Sequence, residues 1–149
     1  MIEDGEVKIL LVEDNTAHAK LMMRSLQQYE SVGSILHLNN GESALDYLFR
    51  RGDYASVTTS PNLVLLDLRL PKYDGLTVLK TIKEDSQLKS IPVVVLSSSD
   101  TKSDMMQAYQ RNANSYLIKP IDFAEFSRML HDVGLYWLSW NKTPLSSFN

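Results

Sequence analysis

The residues able to do chemistry in this sequence collect just after its short apolar runs. Glu13 and Asp14 follow Val7 to Val12, and Asp67 follows Leu63 to Leu66. Ser97, Ser98 and Ser99 follow Ile91 to Leu96, and Lys119 with Pro120 follows Ser115 to Ile118. Three carboxylates brought within a few ångströms repel one another and raise one another's pKa values. A hard divalent cation removes that conflict. Mg²⁺ prefers oxygen ligands and keeps several waters, so one or two carboxylates and a backbone carbonyl suffice. A lysine beside such a site suits a phosphoryl group. Asp67 is the best-presented carboxylate for attack on phosphorus, because it ends the central strand, and carboxylates are known to form acyl phosphates. Taken singly, an Asp after a strand is an ordinary turn or helix cap, and a lone lysine is an ordinary surface residue. Their joint placement at four strand ends is the signal, because ligands of open α/β sheets bind beyond the carboxyl ends of the strands.

The elements that must position these residues alternate. The runs VKILLV, LVLL and IPVVVL are brief, unbroken and rich in leucine or β-branched residues, as buried parallel strands are. Ser34 to Leu38 and Ser115 to Ile118 are weaker strand candidates. Helical periodicity runs through residues 16–29, with Ala19, Met22, Met23 and Leu26 on one face. It recurs over 42–50 (Ala44, Leu45, Leu48, Phe49), 75–84 (Val78, Leu79, Ile82) and 102–111 (Met105, Ala108, Tyr109). A last helix begins at Asp122, an N-cap residue with Glu125 at capping-box spacing. Strand and helix therefore alternate five times. This predicts an α/β, doubly wound, five-stranded parallel sheet with helices on both faces and right-handed connections. Residues 1–140 are read as one domain, 51–62 as a solvated insertion and 141–149 as a loose tail.

Composition excludes several other classes. At 149 residues the chain can bury about two-thirds of its unfolded surface. It has no cysteine, which removes thiol nucleophiles, Fe–S clusters and cysteine zinc sites and fits a cytoplasmic protein. Its net charge of −3 is not the basic surplus of a nucleic-acid binder. The acidic start is unlike a signal peptide. The apolar runs are far shorter than the ~20 residues of a membrane span.

Over residues 7–133 these motifs resemble the receiver domain of two-component response regulators. The resemblance is carried by LLVEDN with Glu13 and Asp14, by LVLLDLRLPKYDG with Asp67, Pro71, Asp74 and Gly75, by Ser97, and by YLIKP with Tyr116 and Lys119. Ser97 lies 30 residues and Lys119 lies 52 residues after Asp67, the family's spacings. The resemblance implies a (βα)5 flavodoxin-like fold with strand order 2-1-3-4-5. It implies phosphorylation of Asp67 by a sensor histidine kinase. Mg²⁺ is then held by Glu13, Asp14, Asp67 and the backbone carbonyl of Arg69. Lys119 pairs with the phosphoryl oxygens, and Ser97 turns inward to donate to them. Tyr116 follows, coupling the site to the surface of the fourth helix, fifth strand and fifth helix. It also implies a cis Lys119–Pro120 bond. Arg69 and Ser98 depart from common receivers and bear on how water reaches the phosphoryl group. No effector domain is expected after residue 133, so the protein reads as a stand-alone switch and not an enzyme. The approach to the third strand and the aromatic ending look most like regulators associated with bacterial and cyanobacterial phytochromes.

The fifth helix argues for a partner by its own pattern. Phe123, Phe126, Leu130, Val133, Trp137 and Trp140 form a stripe at spacings 3, 4, 3, 4, 3. Continued helically to Trp140, it overhangs the strands and presents Phe126, Val133, Tyr136, Trp137 and Trp140 to a second copy, a homodimer. Gly134 is where it bends or ends. His18, His37 and His131 have no partner at metal-ligand spacing and read as isolated. The rival readings are a degenerate receiver acting only as an interaction module, and a phosphohydrolase using Asp67. The second is disfavoured because Arg69 stands where such enzymes carry their second acid.

Overall fold

Successive side chains of a strand point to opposite faces, so an unbroken apolar strand needs cover on both sides. The computed structural model, which describes residues 6–142, provides it. β1 (Val7–Val12), β2 (Val32–Leu38), β3 (Leu63–Leu66), β4 (Val93–Ser97) and β5 (Ser115–Ile118) form one parallel sheet in the order β2-β1-β3-β4-β5. The helices are α1 (Thr16–Leu26), α2 (Gly41–Leu48), α3 (Gly75–Glu84), α4 (Lys102–Gln110) and α5 (Phe123–Gly134). Ile9 and Leu11 of β1, with Leu65 and Val94, pack on α1 and α5 through Met22, Leu26, Phe126 and Leu130. Leu10 and Val12, with Val64, Leu66 and Val95, pack on α2 and α3 through Leu45, Leu48, Leu79 and Ile82. This is the doubly wound (βα)5 fold expected from the alternation. No helix among the described residues is long and apolar enough to cross a membrane.

Local chemistry sets the boundaries. Each α-helix opens on a polar cap whose side chain accepts a backbone N–H: Asn15, Asn40, Asp74, Thr101 and Asp122. β4 begins at Val93, two residues later than the apolar run, because Pro92 has no N–H for a ladder. The loop 51–62 is largely exposed but holds a short 3-10 turn, Gly52–Tyr54. Its last residue, Asn62, is buried, and its side chain accepts from the Lys8 N–H at 2.8 Å. The α4 face differs from expectation. Tyr109 is exposed, and the buried residues are Ala108 and the charged Asp104, which has partners described below.

Two expectations are overturned. All peptide bonds of the described residues are trans, including Lys119–Pro120. Trans is the lower form by about 0.5–1 kcal/mol before proline. The backbone need not fold back here: the Lys119 N–H donates to Ser97 O at 2.8 Å, continuing the β4–β5 pairing, and the long side chain itself reaches the acids. The second correction concerns the interface stripe. Phe126 and Val133 are buried in the chain's own core, only 3% and 5% exposed. The chain does not continue as an α-helix past Gly134. Residues Leu135–Trp140 form a π-helical turn, closed by Asn141 N–H donating to Tyr136 O at 2.6 Å. A π-turn bonds i to i+5, so Leu138, five residues after Val133, takes the next core position. Trp137 is half-buried against the same cluster, and Tyr136 and Trp140 remain exposed. Residues 143–149, most of the expected tail, lie outside the described residues, as do residues 1–5.

Gly134 ends α5 with an ordinary right-handed conformation, φ −62°, so its lack of a side chain serves a close approach and not a turn. A Cβ there would stand 2.4 Å from the ring of Tyr29, whose hydroxyl donates to His131 O at 2.9 Å. Gly134→Ala should therefore destabilise the protein by about 1–3 kcal/mol, the usual penalty of overpacking, despite alanine's better helix propensity. Urea denaturation checks this; an unchanged or raised midpoint contradicts the packing argument.

Candidate functional site

The register of the central strands decides which side chains meet. Val12 of β1 lies opposite Leu66 of β3, so the next residues, Glu13 and Asp67, emerge side by side at the carboxyl edge. The Asp67 N–H donates to Val12 O at 3.0 Å and fixes that exit. On the far side of β3, Ser97 ends β4 opposite Ile118 of β5, and Lys119 follows. Three strand ends thus deliver Glu13, Asp67 and Lys119 to one place. Gly75 lets α3 begin close against the end of β3: a Cβ there would lie 2.2 Å from the Asp67 backbone O.

Lys119 sits between the two buried acids. Its ammonium donates to Glu13 Oε1 at 2.5 Å and to Asp67 Oδ2 at 2.9 Å, with both acids and the lysine buried. It also bonds His18 Nδ1 at 3.1 Å. Asp67 Oδ1 accepts the Arg69 N–H at 3.1 Å, and Glu13 Oε2 accepts the Asn15 N–H at 3.1 Å. Burial pushes the Glu13 carboxyl up to about 7. Loss of water outweighs the attraction of Lys119, and repulsion from Asp67 adds to the rise. Burial, and then the Lys119 charge, hold the His18 imidazole below its usual 6.5.

The acids fit a divalent cation. One oxygen from each of Glu13, Asp14 and Asp67 lies within 4.8 Å of the others, with Asp14 exposed and the other two buried. The donor set is all carboxylate oxygen, the set that hard cations take. The opening is a cavity of about 280 Å³ lined by Glu13, Asp14, Asn15, His18, Asp67, Arg69, Ser98 and Lys119.

Ser97 and Tyr116 are placed beside the cavity and do not line it. Ser97 is fully buried, and its Oγ accepts the Ser99 N–H at 3.2 Å. Tyr116 is half-buried, with its hydroxyl donating to Ser99 O at 2.9 Å. A second group of residues joins this loop to the site, and two of its members, Asp104 and Thr101, were not expected from the sequence. The Arg69 guanidinium pairs with Asp104 of α4, and Ser99 Oγ donates to the same Asp104 oxygen at 2.5 Å. The Thr101 hydroxyl accepts the Asp104 N–H at 3.2 Å. Asp104 carried one signal in the sequence, a charge on the otherwise inward side of an amphipathic helix. His18 carried another: it lies four residues after Asp14, one helical turn from the acidic pair.

The comparisons agree with this geometry. The family model for the response regulator receiver domain matches residues 9–131. This chain belongs to the response regulator receiver family. It is 48% identical over 137 residues to FilR2 of Methanothrix harundinacea, described as a probable methanogenesis regulatory protein, covering 91% of this chain and 86% of that one. It is 38% identical over 136 residues to response regulator Rcp1 of Synechocystis, covering 91% and 92%. Among solved structures it resembles the phosphorylated cyanobacterial phytochrome response regulator RcpA, with TM-score 0.90 and 37% identity over 93% of this chain and 99% of that one. The Mn²⁺-bound form of Rcp1 matches with TM-score 0.88 and 36% identity, covering 93% and 99%.

Asp14 is the exposed member of the acidic cluster, so its replacement tests the cation site with little effect on the fold. Asp14→Asn should change unfolding free energy by no more than about 0.5 kcal/mol, as surface substitutions do. It should weaken Mg²⁺ or Mn²⁺ binding by about tenfold or more, ~1.4 kcal/mol. Isothermal titration calorimetry measures this, and equal affinity would place the cation elsewhere.

Proposed function

We propose that this chain is a phosphorylation-activated signalling switch in a phosphorelay, with Asp67 as phosphoacceptor. The observation that carries the reading is the Lys119 ammonium held 2.9 Å from Asp67 Oδ2 inside an acidic cluster at the strand ends. The donor is a phosphohistidine of a sensor histidine kinase. The similar protein RcpA is a cyanobacterial phytochrome response regulator, which makes a phytochrome kinase the first partner to test. The site is proposed to work in the cytoplasm, where such kinases present their phosphohistidine.

In the reaction an Asp67 oxygen attacks phosphorus. The new O–P bond forms as the P–N bond to histidine breaks, and the electron pair and a proton end on the imidazole. Lys119 holds the attacking carboxylate and then meets the phosphoryl oxygens as a point charge. The Arg69 N–H on Oδ1 orients the carboxylate from its other side. Glu13, Asp14, Asp67 and the Arg69 carbonyl are the proposed ligands of Mg²⁺, which when bound neutralises charge on the transferring group. This is positioning and electrostatic stabilisation, with the chain as acceptor and not as a turnover enzyme. Ser97 then exchanges its Ser99 bond for a phosphoryl oxygen. That withdraws one tie from the loop on which Tyr116 and Asp104 depend, and the α4–β5–α5 surface shifts.

The experiment is incubation with acetyl phosphate and Mg²⁺, read by intact-protein mass. A persistent acyl phosphate supports the switch. Continuous turnover would favour a hydrolase, and no labelling would favour an interaction module that is never phosphorylated. Asp67→Asn, nearly isosteric, should lose labelling entirely while remaining folded. Lys119→Ala should keep or tighten cation binding, because a neighbouring cation is gone, yet fail to transmit the change to Tyr116.

The exposed aromatics favour a homodimer as the assembly of the switch. Tyr136 and Trp140 stand in solvent beside an apolar groove that Leu117, Met129, Tyr136 and Trp137 help to line. An isologous pair would cover the same patch on both copies. Trp140→Ala should weaken association by about 2 kcal/mol or more if it is a hot spot. Sedimentation at tens of micromolar, with and without beryllofluoride, checks this; a wild type monomeric in both states rejects the dimer.

A further inference from the structure

An ammonium group has three N–H donors and no acceptor. Lys119 uses all three, on Glu13 Oε1 at 2.5 Å, Asp67 Oδ2 at 2.9 Å and His18 Nδ1 at 3.1 Å. Since the ammonium can only donate, Nδ1 accepts with its lone pair, which assigns the ring proton to Nε2 and makes the imidazole neutral. Two contacts place the residue, one on its backbone and one on its ring. The His18 backbone N–H donates to the Asn15 side chain at 3.0 Å in the first turn of α1. Phe126 of α5 meets the imidazole edge-on, with centroids 5.4 Å apart and planes at 89°. Burial and the neighbouring Lys119 charge both favour the neutral form.

The three acceptors differ in what phosphorylation does to them. Asp67 loses a carboxylate charge when its oxygen bonds to phosphorus. Glu13 is a proposed cation ligand and is drawn toward the metal. His18 is the acceptor that the reaction leaves unchanged, on a backbone held by the helix cap and with a ring held by the Phe126 contact. We infer that His18 is a positioning residue for phosphoryl transfer, its Nδ1 keeping the Lys119 ammonium beside Asp67 once Glu13 and Asp67 are otherwise engaged. The inference rests on the phosphoacceptor reading of Asp67. It also gives the lysine a fixed origin: a flexible four-carbon stem becomes a charge aimed at one place, which is what differential stabilisation of a transition state needs.

The test compares wild type, His18→Ala and His18→Asn. Alanine removes the acceptor at a half-buried helix position where it is the best helix former. Asparagine restores an acceptor, because its Oδ1 stands the same number of bonds from Cα as the histidine Nδ1. With acetyl phosphate and saturating Mg²⁺, His18→Ala should label more slowly by about tenfold or more, as loss of an orienting partner commonly does. His18→Asn should recover most of the rate, and Mg²⁺ affinity by calorimetry should be unchanged in both. A second readout needs no phosphodonor. With Mg²⁺ and beryllofluoride bound, when Glu13 and Asp67 are otherwise engaged, the Lys119 ammonium should give a slowly exchanging ¹⁵N–¹H signal in wild type and His18→Asn that His18→Ala loses. If His18→Ala labels at the wild-type rate, or His18→Asn is as slow as His18→Ala, or the ammonium signal survives in His18→Ala, the positioning role is overturned while the phosphoacceptor reading stands. If wild type itself is not labelled, both readings fall together.

Discussion

A lysine ammonium almost wholly out of water sets the terms for this structure. An isolated charge in that position is prohibitively costly, and it is tolerable only when every donor finds an acceptor in good geometry. The acceptors of Lys119 come from β1, β3 and α1, and the lysine itself comes from the end of β5. So the site exists only if the β1–β3 register and the β4–β5 register are both correct. A slip of one residue would turn Glu13 or Asp67 to the opposite face of the sheet. The apolar strands on both faces prevent that slip, because the odd and even residues of β1, β3 and β4 are committed to different helical layers.

The same economy of contacts gives the proposed switch a route from Asp67 to the surface. α4 is the least firmly seated helix, with Ala108 its buried apolar residue. What ties its first turn to the rest is polar: Asp104 to Arg69 and to Ser99, and Tyr116 to the Ser99 carbonyl. Arg69 follows Asp67 by two residues and gives it a backbone N–H, so the site and the helix share one residue. An element held by few apolar contacts and several exchangeable hydrogen bonds lies at the low-stability end of a protein, from which switching elements are drawn. At the other end of the chain the π-turn after Gly134 has the opposite character. It spends Leu138 and part of Trp137 on the core and leaves Tyr136 and Trp140 outside.

The sheet and the ligands of the site were legible in the residues themselves. Buried parallel strands must be near-continuous apolar runs, and VKILLV (Lys8 apart), LVLL and IPVVVL are such runs. The acids and the lysine were found because they stop those runs abruptly, and such stops fall at the carboxyl edge where ligands bind. The capping rule picked out Asp122 at the start of the last helix, and the structure caps the other four helices with Asn15, Asn40, Asp74 and Thr101. What these rules could not reach was contact between distant segments. His18 looked isolated because its partner is 101 residues away. Asp104 broke a helical pattern for a reason that lay 35 residues earlier, at Arg69. The stripe of α5 failed after Val133 because a π-turn changes the period, and periodicity arguments assume that it stays at 3.6.

By itself, then, the sequence determined which side chains arrive at the carboxyl edge, since strand identity and strand ends are properties of short runs. Only the tertiary structure decided how they are paired there. Lys119 bridges Glu13, Asp67 and His18 through a trans bond to Pro120, because register and side-chain reach, not the turn, bring the ammonium to the acids. It likewise decided that Phe126 and Val133 face inward while Trp140 faces out. Burial belongs to the packing of α5 on the sheet and α1, and no local pattern specifies which residue of a stripe the neighbouring elements will cover.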